Sequence, residues 1–259
     1  MKIALTFDVE RDIPNFLNTD FGVKIGLNKI LSILDDYQIK STFFCTGTIV
    51  KHQPQIVELI ESRGHEIACH SLNHERLTEL TFDECKEIIL KNKEIVEKRC
   101  QNSEVIGFRA PYLKPPKFIF KLLNDLGFKY DSSIRRHKNS EYYIIPSHKI
   151  REFYPSSVYI YFRLPMFYYF VKKWIFRKEL NVLYFHVWEA INIKELILKQ
   201  TSKLNSFINL FFRLDRWINT GKPFLIRIKK FIKEAVSKNV EFVTLKQLIG
   251  EVNNKIKNI

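Results

Sequence analysis

Glycine and proline are scarce in this sequence, and nothing in their distribution divides the chain. The 259 residues include 8 glycines and 9 prolines, and no stretch rich in glycine, serine or proline forms a linker. Neither an internal repeat nor a low-complexity run is present, which argues against a solenoid and against long disorder. A chain with 46% hydrophobic residues can bury a large core. We therefore expect a single domain over residues 1–259.

Cysteine is also sparse, and its spacing excludes a familiar kind of site. No C-x-x-C pair occurs among the four cysteines, which are Cys45, Cys69, Cys85 and Cys100. We therefore expect reduced thiols rather than a disulfide framework. The chain starts with a short apolar run, Lys2–Phe7, which leaves no room for the parts of a cleaved export signal. The expected location is therefore cytoplasmic, with the inner face of the membrane as one possibility.

Acidic residues are outnumbered. The chain has 42 Lys and Arg against 28 Asp and Glu, a net charge of +14, which attracts polyanions such as nucleic acid, anionic lipid or a diphosphate-linked sugar. The basic residues are spread along the chain, and we find no helix-turn-helix, zinc-finger or RNA-binding motif. We therefore expect no nucleic-acid partner. A solvated basic surface without a dedicated partner is the simpler alternative.

No apolar run is long enough to span a bilayer, which takes about 20 mostly apolar residues. The segment 153–176 is dense in aromatic residues and is followed by Arg177 and Lys178, but Pro155, Arg163 and Pro165 interrupt it. Aromatic and basic side chains together suit peripheral contact with an anionic membrane. The same aromatics would equally suit the lining of a barrel or of a substrate groove, and the sequence leaves both interpretations open.

Short apolar runs alternate with amphipathic stretches, which predicts parallel strands with helices outside the sheet. The predicted strands are Lys2–Phe7, Ser41–Cys45, Glu66–Cys69, Val105–Phe108, Phe128–Asp131, Val182–Phe185 and Glu241–Thr244. An open doubly wound sheet would share this pattern. A (β/α) barrel is favoured because polar clusters directly follow several strands, where barrel enzymes assemble their sites. Residues 139–178 do not fit a strand–helix unit, and we interpret them as an insertion over the rim of the site.

Two polar clusters have the composition of a metal site. Asp8 and Glu10 are two residues apart at the end of a strand, so both can point toward one mouth of the barrel. His70 and His74 are four residues apart and can aim both imidazoles at one point from a single helical turn. Two imidazoles and a carboxylate provide three ligands for Zn²⁺ and leave a position open for water. The pattern therefore predicts metal-assisted hydrolysis.

Further clusters follow in order along the chain, and together they resemble a known family. They read Phe108-Arg109-Ala110-Pro111-Tyr112 and Leu183-Tyr184-Phe185-His186-Val187-Trp188-Glu189. The chain resembles the polysaccharide deacetylases of carbohydrate esterase family 4, the NodB-like group, whose motifs read F-D-x-[DE], H-[ST]-x-x-H, R-x-P-[YF] and L-x-x-H. It is most similar to the branch ending in F-H-P-W-E, with Val187 in place of the proline, and Tyr161–Pro165 is similar to the Y-F-R-L-x-P segment of that branch.

The resemblance covers essentially the whole chain and implies a distorted seven-stranded barrel of the polysaccharide deacetylase type. It also implies a metal-dependent hydrolase that removes N-acetyl groups from the amino sugars of a polysaccharide, an oligosaccharide or a lipid-linked saccharide. The implied metal ligands are Glu10, His70 and His74. Zinc is the expected ion, with cobalt, manganese and nickel as other candidates. Because Glu10 replaces the commoner aspartate one residue earlier, Asp12 is an alternative ligand.

The resemblance also assigns catalytic roles. Asp8 is the implied base, which Arg109 holds in its charged form by pairing with it. Tyr112 is implied to offer its backbone N–H to the oxyanion, and His186 to protonate the departing amine. The usual aspartate-and-tryptophan fourth motif is not recognisable, so Asp131 and Glu189 are both candidate partners of His186.

Several roles are left open at this stage. Trp188 is a candidate for the apolar wall of the acetyl pocket, and His52, His65, His137 and His148 are treated as structural or surface residues. The same fold and metal also suit a deformylase of lipid-linked sugars or an amidase that opens cyclic amides. An inactive saccharide- or membrane-binding protein is an alternative of another class. Steeply salt-dependent DNA binding without any metal would favour a nucleic-acid binder instead.

Overall fold

A computed structural model describes residues 1–14, 16–135, 142–145, 149–156, 159–199 and 213–257. The strands are β1 Lys2–Val9, β2 Thr42–Cys45, β3 Glu66–Cys69, β4 Gly107–Phe108, β5 Tyr130–Asp131, β6 Tyr142–Ile145, β7 Ile150–Phe153, β8 Pro155–Ser156, β9 Leu180–His186 and β10 Glu241–Phe242. The helices are α1 Leu27–Asp36, α2 Gly47–His52, α3 Gln55–Glu61, α4 Phe82–Glu97, α5 Ile119–Asp125, α6 Tyr159–Arg163, α7 Pro165–Ile175, α8 Ile193–Lys199, α9 Leu214–Trp217, α10 Lys222–Ser237 and α11 Leu245–Lys257.

The sheet curves into a nearly closed parallel barrel. Its strand order is β6-β7-β5-β4-β3-β2-β1-β9-β8. Strand β7 pairs with β5, and β8 pairs with β9 at the other end of this order. Because only Tyr154 separates β7 from β8, the two act as one bent strand that joins the ends of the sheet. The barrel has seven parallel strands when β7 and β8 are counted together and eight when they are counted separately. The predicted barrel is confirmed.

Two segments differ from the sequence prediction. Residues 139–178 were expected to form an insertion, but β7 and β8 are part of the barrel wall because they pair in parallel with β5 and β9. The segment Glu241–Thr244 was expected to be one of the seven barrel strands. Instead, β10 pairs only with Lys2 and Ile3 of β1 and lies off the main strand path.

The core lies between the barrel and its helices. Strands β2 and β3 are buried at every position, as expected for parallel strands covered on both faces. Helix α1 buries Leu27, Ile30, Leu31 and Leu34, the spacing of one helical face. All four cysteines are free thiols. No helix in the described part of the chain has the length and the apolar character needed to cross a membrane.

A close packing contact positions one side of the site. A π-helical turn, Gly22–Gly26, precedes α1 and lies against the 3-10 turn Val187–Ala190 that follows β9. A Cβ on Gly26 would lie 2.3 Å from the carbonyl oxygen of Val187, and one on Gly22 would lie 2.6 Å from Cα of Trp188. Only residues without side chains allow this approach. The two glycines thereby let the turn carrying Trp188 and Glu189 pack against the barrel.

Candidate active site

The polar clusters meet at one end of the barrel, where the parallel strands end, and we call this end the mouth. Asp8 lies at the end of β1 directly opposite His186 of β9. His70 follows the last residue of β3, and Arg109 follows the last residue of β4. Asp8, Glu10, His70, His74, Tyr112 and His186 all line one cavity of about 350 Å³. The structure therefore brings the predicted catalytic and metal-ligating residues to a single site.

Glu10, His70 and His74 form a cluster whose ligand atoms all lie within 4.8 Å of one another. Oε2 of Glu10 is 2.7 Å from Nε2 of His74 and 3.5 Å from Nε2 of His70. His70 Nε2 is buried without a hydrogen-bond partner. Unpartnered buried polar atoms are costly, and two nitrogens with one oxygen are ligands that Zn²⁺ accepts. These residues therefore fit a divalent ion.

The backbone fixes the tautomer of His70. Its Nδ1 is 2.8 Å from the carbonyl oxygen of Arg109, and because a carbonyl only accepts, Nδ1 must carry the proton. In the neutral imidazole, Nε2 then carries the lone pair that a metal ion would need. A histidine oriented in this way by a backbone carbonyl is typical of a metal ligand.

The two histidines do not lie on a helical turn, which was the geometry expected from their spacing. Residues 70–74 form an irregular loop after β3, because Ser71 has φ 65° and His74 has φ 60°. Such left-handed backbone angles are uncommon outside glycine and concentrate at functional sites. The loop still brings the imidazole centroids within 5.2 Å of each other.

Charges in the cluster compensate one another. Burial alone would raise the pKa of Glu10, but the imidazoles of His74 and His70 outweigh it and hold that pKa well below its usual range. Burial alone would lower the pKa of His70, yet Asp8 and Glu10 raise this pKa above its ordinary value. Carboxylates that stabilise a positive charge on neighbouring groups in this way also favour a bound cation.

Asp8 has different partners on its two oxygens. Oδ1 is 2.7 Å from a guanidinium nitrogen of Arg109, and Oδ2 is 3.7 Å from Nε2 of His70. Arg109 is fully buried and also donates to the carbonyl and the hydroxyl of Ser132. Its guanidinium lies 4.0 Å above the ring of Phe44. One oxygen of Asp8 is therefore held in place while the other faces the cluster.

Tyr112 lies beside His74, in the turn after β4. Its φ is 61°, again left-handed for a residue with a side chain. Its ring packs 4.5 Å from that of His74, and the guanidinium of Arg76 lies 4.7 Å above it. The turn is supported by Ser133, whose hydroxyl accepts from Ala110 N–H and donates to Asp131. The oxyanion role of Tyr112 stays a prediction.

Glu189 is the carboxylate that contacts His186. Its Oε1 is 3.1 Å from Nδ1 of His186 and also accepts the backbone N–H of that residue. Its Oε2 is 2.9 Å from Nε of Arg163, and both side chains are fully buried. Asp131, the other candidate partner, is the last residue of β5 and instead accepts from the hydroxyl of Ser133.

The role of Arg163 was missed at the sequence level, although it lies in the Tyr161–Pro165 segment that carries part of the family resemblance. Trp188 was considered as the wall of the acetyl pocket, but it is fully buried and does not line the described cavity. Its Nε1 donates to Oε1 of Glu10 at 3.1 Å, and its ring stacks on His186 at 4.5 Å. Trp188 therefore supports a metal ligand and the proposed acid together.

Two other predicted alternatives are structural. Asp12 accepts hydrogen bonds from Thr19 and from the backbone N–H groups of Phe21 and Gly22, so it orders the start of the π-helical turn. His65 accepts the backbone N–H of Ser41, and burial lowers its pKa to about 4. His52 is exposed. His137 and His148 lie outside the described residues.

A parallel barrel with carboxylates and histidines at the ends of its strands has the architecture of a barrel enzyme. The family model for polysaccharide deacetylase matches residues 1–130, half of the sequence. The chain therefore belongs to the polysaccharide deacetylase family.

Named relatives agree with this assignment. The peptidoglycan-N-acetylmuramic acid deacetylase of Bacillus subtilis is 29% identical over 154 residues, which cover 56% of this chain and 58% of that protein. The chitooligosaccharide deacetylase of Sinorhizobium fredii is 28% identical over 111 residues, 43% of this chain and 46% of that protein. The matches thus span about half the length of these relatives.

The fold is also that of a solved structure. A Mycobacterium smegmatis protein assigned to the polysaccharide deacetylases superimposes with a TM-score of 0.73 at 20% identity, covering 98% of this chain and 90% of that one. At this level of identity the likeness concerns the fold alone.

Proposed function

We propose that this protein is a metal-dependent hydrolase that removes N-acetyl groups from the amino sugars of a saccharide. The observation that carries the proposal is the placement of Asp8 between Arg109 and the cluster of Glu10, His70 and His74, with His186 across the same cavity. A base, a metal site and an acid then surround one small volume, as amide hydrolysis requires. The names of the relatives support the same chemistry.

The proposed mechanism assigns one task to each group. A divalent ion held by Glu10, His70 and His74 would lower the pKa of water and polarise the amide carbonyl. Asp8 accepts a proton from the attacking water, through the oxygen that faces the cluster. The backbone N–H of Tyr112 donates to the oxyanion that forms on the carbonyl. His186, with Nδ1 held by Glu189, gives a proton to the departing amine, and the products are acetate and a free amino sugar.

The test is acetate release from N-acetylglucosamine oligosaccharides by protein stripped of metal, with and without added Zn²⁺ or Co²⁺. Metal-dependent acetate is expected. Release of formate, or of the ring-opened product of a cyclic amide, would favour a deformylase or another amidase of the same fold. A tightly bound ion without turnover of any amide would favour a catalytically inactive saccharide-binding protein.

We also propose peripheral contact with an anionic membrane through helix α7, which would bring the protein to lipid-linked saccharides. Helix α7 exposes Met166 by 70%, Phe170 by 65% and Tyr169 by 51%, and Lys173 is exposed in its last turn. The neighbouring Lys172 pairs with Glu234. Exposed aromatics beside lysines suit the headgroup region of a bilayer. Free thiols at all four cysteines fit the reducing cytoplasmic side.

Sedimentation with phospholipid vesicles tests this contact. Binding to vesicles containing phosphatidylglycerol is expected to exceed binding to phosphatidylcholine alone, and Phe170→Ser is expected to weaken it. Leu90→Ser is the matched control, because Leu90 is a 38% exposed apolar residue of α4, on another side of the barrel. Equal loss in both variants, or no preference for anionic lipid, would contradict a specific contact through α7.

A further inference from the structure

The cavity at the mouth is bordered by charge of one sign. Its described lining residues include five cations, Arg76, Lys114, Arg135, Arg213 and Arg216, which we call the cationic rim. The acidic residues of that lining are Asp8 and Glu10. Asp8 is paired with Arg109, and Glu10 is surrounded by histidines. Asp215 compensates part of the charge of Arg213 and Arg216, and the five cations still leave the cationic rim with an excess of positive charge.

Part of the cationic rim is held in place by buried contacts. The fully buried Arg163 donates to the carbonyl oxygens of Asp215 and Ile218, at 2.6 Å each. The side chain of Asp215 in turn contacts Arg213 at 2.8 Å and Arg216 at 3.4 Å. The segment that carries these two arginines is thus tied to the residue that also holds Glu189 and, through it, His186.

A second cavity, of about 300 Å³, meets the first at Pro14, Phe16 and His74. Much of its polar lining is neutral: Asn18, Thr46, Thr48 and Asn73. Its described lining also contains Arg11, which donates to Asn18. Amides, hydroxyls and an aromatic ring suit the hydroxyl groups and faces of a sugar. The two cavities therefore differ in chemistry on either side of the proposed metal site.

We propose that the substrate is an amino sugar that bears a phosphate or diphosphate group, and that the cationic rim binds this group. The second cavity would then hold uncharged sugar on the other side of His74. Arg76 stacks on Tyr112, and Lys114 lies on the same turn as Tyr112. The other three residues of the cationic rim are arginines, and a planar guanidinium can pair with two phosphate oxygens. This inference rests on the proposed function, because it names the substrate class of the same site.

Binding to the metal-free protein tests the inference without relying on turnover. N-acetylglucosamine 1-phosphate is expected to bind about tenfold or more tightly than N-acetylglucosamine, and the advantage should shrink as salt is added. Removing the metal excludes direct coordination of phosphate. Equal affinity for the two sugars would overturn the inference. N-acetylmuramic acid binding as tightly as the phosphate ester would also overturn it, because a carboxylate would then serve equally well.

Charge reversal locates the binding group. Lys114→Glu combined with Arg135→Glu is expected to abolish most of the preference for the phosphorylated sugar. The control is Lys98→Glu combined with Lys129→Glu, which changes the net charge equally. Lys98 ends α4 and Lys129 precedes β5, so both exposed side chains lie at the end of the barrel opposite the mouth. A control that lost the preference equally would show a general charge effect and contradict a dedicated site.

Turnover by the metal-loaded protein separates this inference from the proposed function. The substrates are a neutral chitooligosaccharide, a nucleoside diphosphate-linked N-acetylglucosamine and a polyprenyl diphosphate-linked one. A higher kcat/KM for either diphosphate supports the inference and identifies which carrier is used. Highest kcat/KM for the neutral oligosaccharide would overturn the inference and leave the deacetylase intact. If none of the three substrates is turned over, the proposed function is contradicted. The binding preference of the metal-free protein tests the inference independently of that result.

Discussion

Asp8 and Glu10 are two residues apart, yet their carboxylates have different neighbours. Asp8 is fixed by Arg109 through one oxygen, whereas Glu10 accepts from Trp188 and contacts His74. Within each carboxylate, the two oxygens contact different residues. The two acids are therefore suited to different tasks, with Asp8 free of the metal ligand cluster defined by Glu10, His70 and His74.

Asp8→Asn is expected to lower acetate release by about 10²–10⁴-fold, the usual contribution of a general base, and to leave metal content unchanged. His70→Ala removes a ligand, so this variant is expected to lose the metal as well as activity. Metal content by elemental analysis and acetate by a coupled assay measure both effects. Near-normal rates in Asp8→Asn would mean that another group is the base.

Glu189→Gln tests the orientation of His186. The amide can still accept from Nδ1 of His186, but it cannot neutralise the buried Arg163 beside it. We expect kcat to fall about a hundredfold, the lower end of what a general acid contributes, with little change in KM. Metal content should stay at the level of the unmodified protein. If kcat were preserved while KM rose or metal content fell, Glu189 would only stabilise the fold.

The sequence placed Asp8, His70 and Arg109 at strand ends because strand ends are readable from apolar runs, and the structure brings these residues together. Their roles stay predictions. The sequence could not choose between Asp131 and Glu189, because Asp131 ends one strand and Glu189 follows another. Only the fold brings Glu189 to 3.1 Å from His186. The sequence also could not show that the loop of His70 and His74 is left-handed at two residues, because such angles depend on the surrounding contacts.

Among the elements, the strand that closes the barrel was the hardest to predict. Strands β7 and β8 cover only Ile150–Phe153 and Pro155–Ser156, and β7 contains Arg151 and Glu152. Both side chains are buried, at 6% and 1% exposure. Charged residues at buried positions break the apolar pattern on which strand prediction relies. The longer apolar strands β1 and β9 were predicted without this difficulty.

The buried charge in β7 has a consequence for stability. Glu152 lies opposite Asp131 of β5 and accepts the backbone N–H groups of Ser133 and Ile134. Burial and the neighbouring Asp131 raise the pKa of Glu152 well above its usual range, and burial also raises that of Asp131. The folded protein therefore holds protons that the unfolded chain releases. This contribution to stability is complete below the ordinary carboxyl range and is lost as pH rises through the raised pKa values.

Glu152→Gln is expected to weaken this pH dependence, because the amide donates to Asp131 without needing a proton. Urea denaturation across mildly acidic to alkaline pH measures the free energy of unfolding. The unmodified protein should lose stability with rising pH more steeply than the variant does. Parallel curves for the two proteins would mean that the pair does not retain a proton in the folded state.

Gly26→Ala tests the contact between the π-helical turn and the turn after β9. The added Cβ would lie 2.3 Å from the Val187 carbonyl oxygen, so we expect a loss of about 1–3 kcal/mol in the free energy of unfolding, as for other overpacked sites. Acetate release should fall too, because Trp188 and Glu189 would shift.

Gly250→Ala provides the control, because nothing lies within 4 Å of the position its Cβ would take in α11. Alanine is favoured over glycine inside a helix by about 0.5–1 kcal/mol, so this variant should be slightly stabilised. Equal stability of the two variants would contradict the close packing at Gly26.

At the scale of the whole molecule, the sequence predicted the class of fold but not the path of the sheet. The alternation of strands and helices, and polar clusters after strands, indicated a barrel. The count of seven strands agreed with the structure for a partly wrong reason, because Glu241–Thr244 had been counted and residues 150–156 had not. Pairing between distant strands depends on long-range packing, which local patterns do not contain.

Part of the positive charge behind the net charge of +14 is concentrated at one place in the structure. From the sequence alone the basic residues were spread along the chain, and no partner followed from them. The fold gathers five of them around the described cavity of the mouth. If the basic surface were uniform, charge reversal at the mouth and at the opposite end of the barrel would weaken binding equally. A local cationic rim predicts that only the reversal at the mouth weakens binding.

The most direct test of the central claim is acetate release by the metal-stripped protein, measured before and after Zn²⁺ is restored, with Asp8→Asn treated in parallel. The account predicts no acetate without metal, release on restoring it, and a variant that binds the metal but releases almost none. Acetate release independent of metal, or an unmodified protein that binds no ion at all, would contradict the assignment of this site as a metal-dependent deacetylase centre.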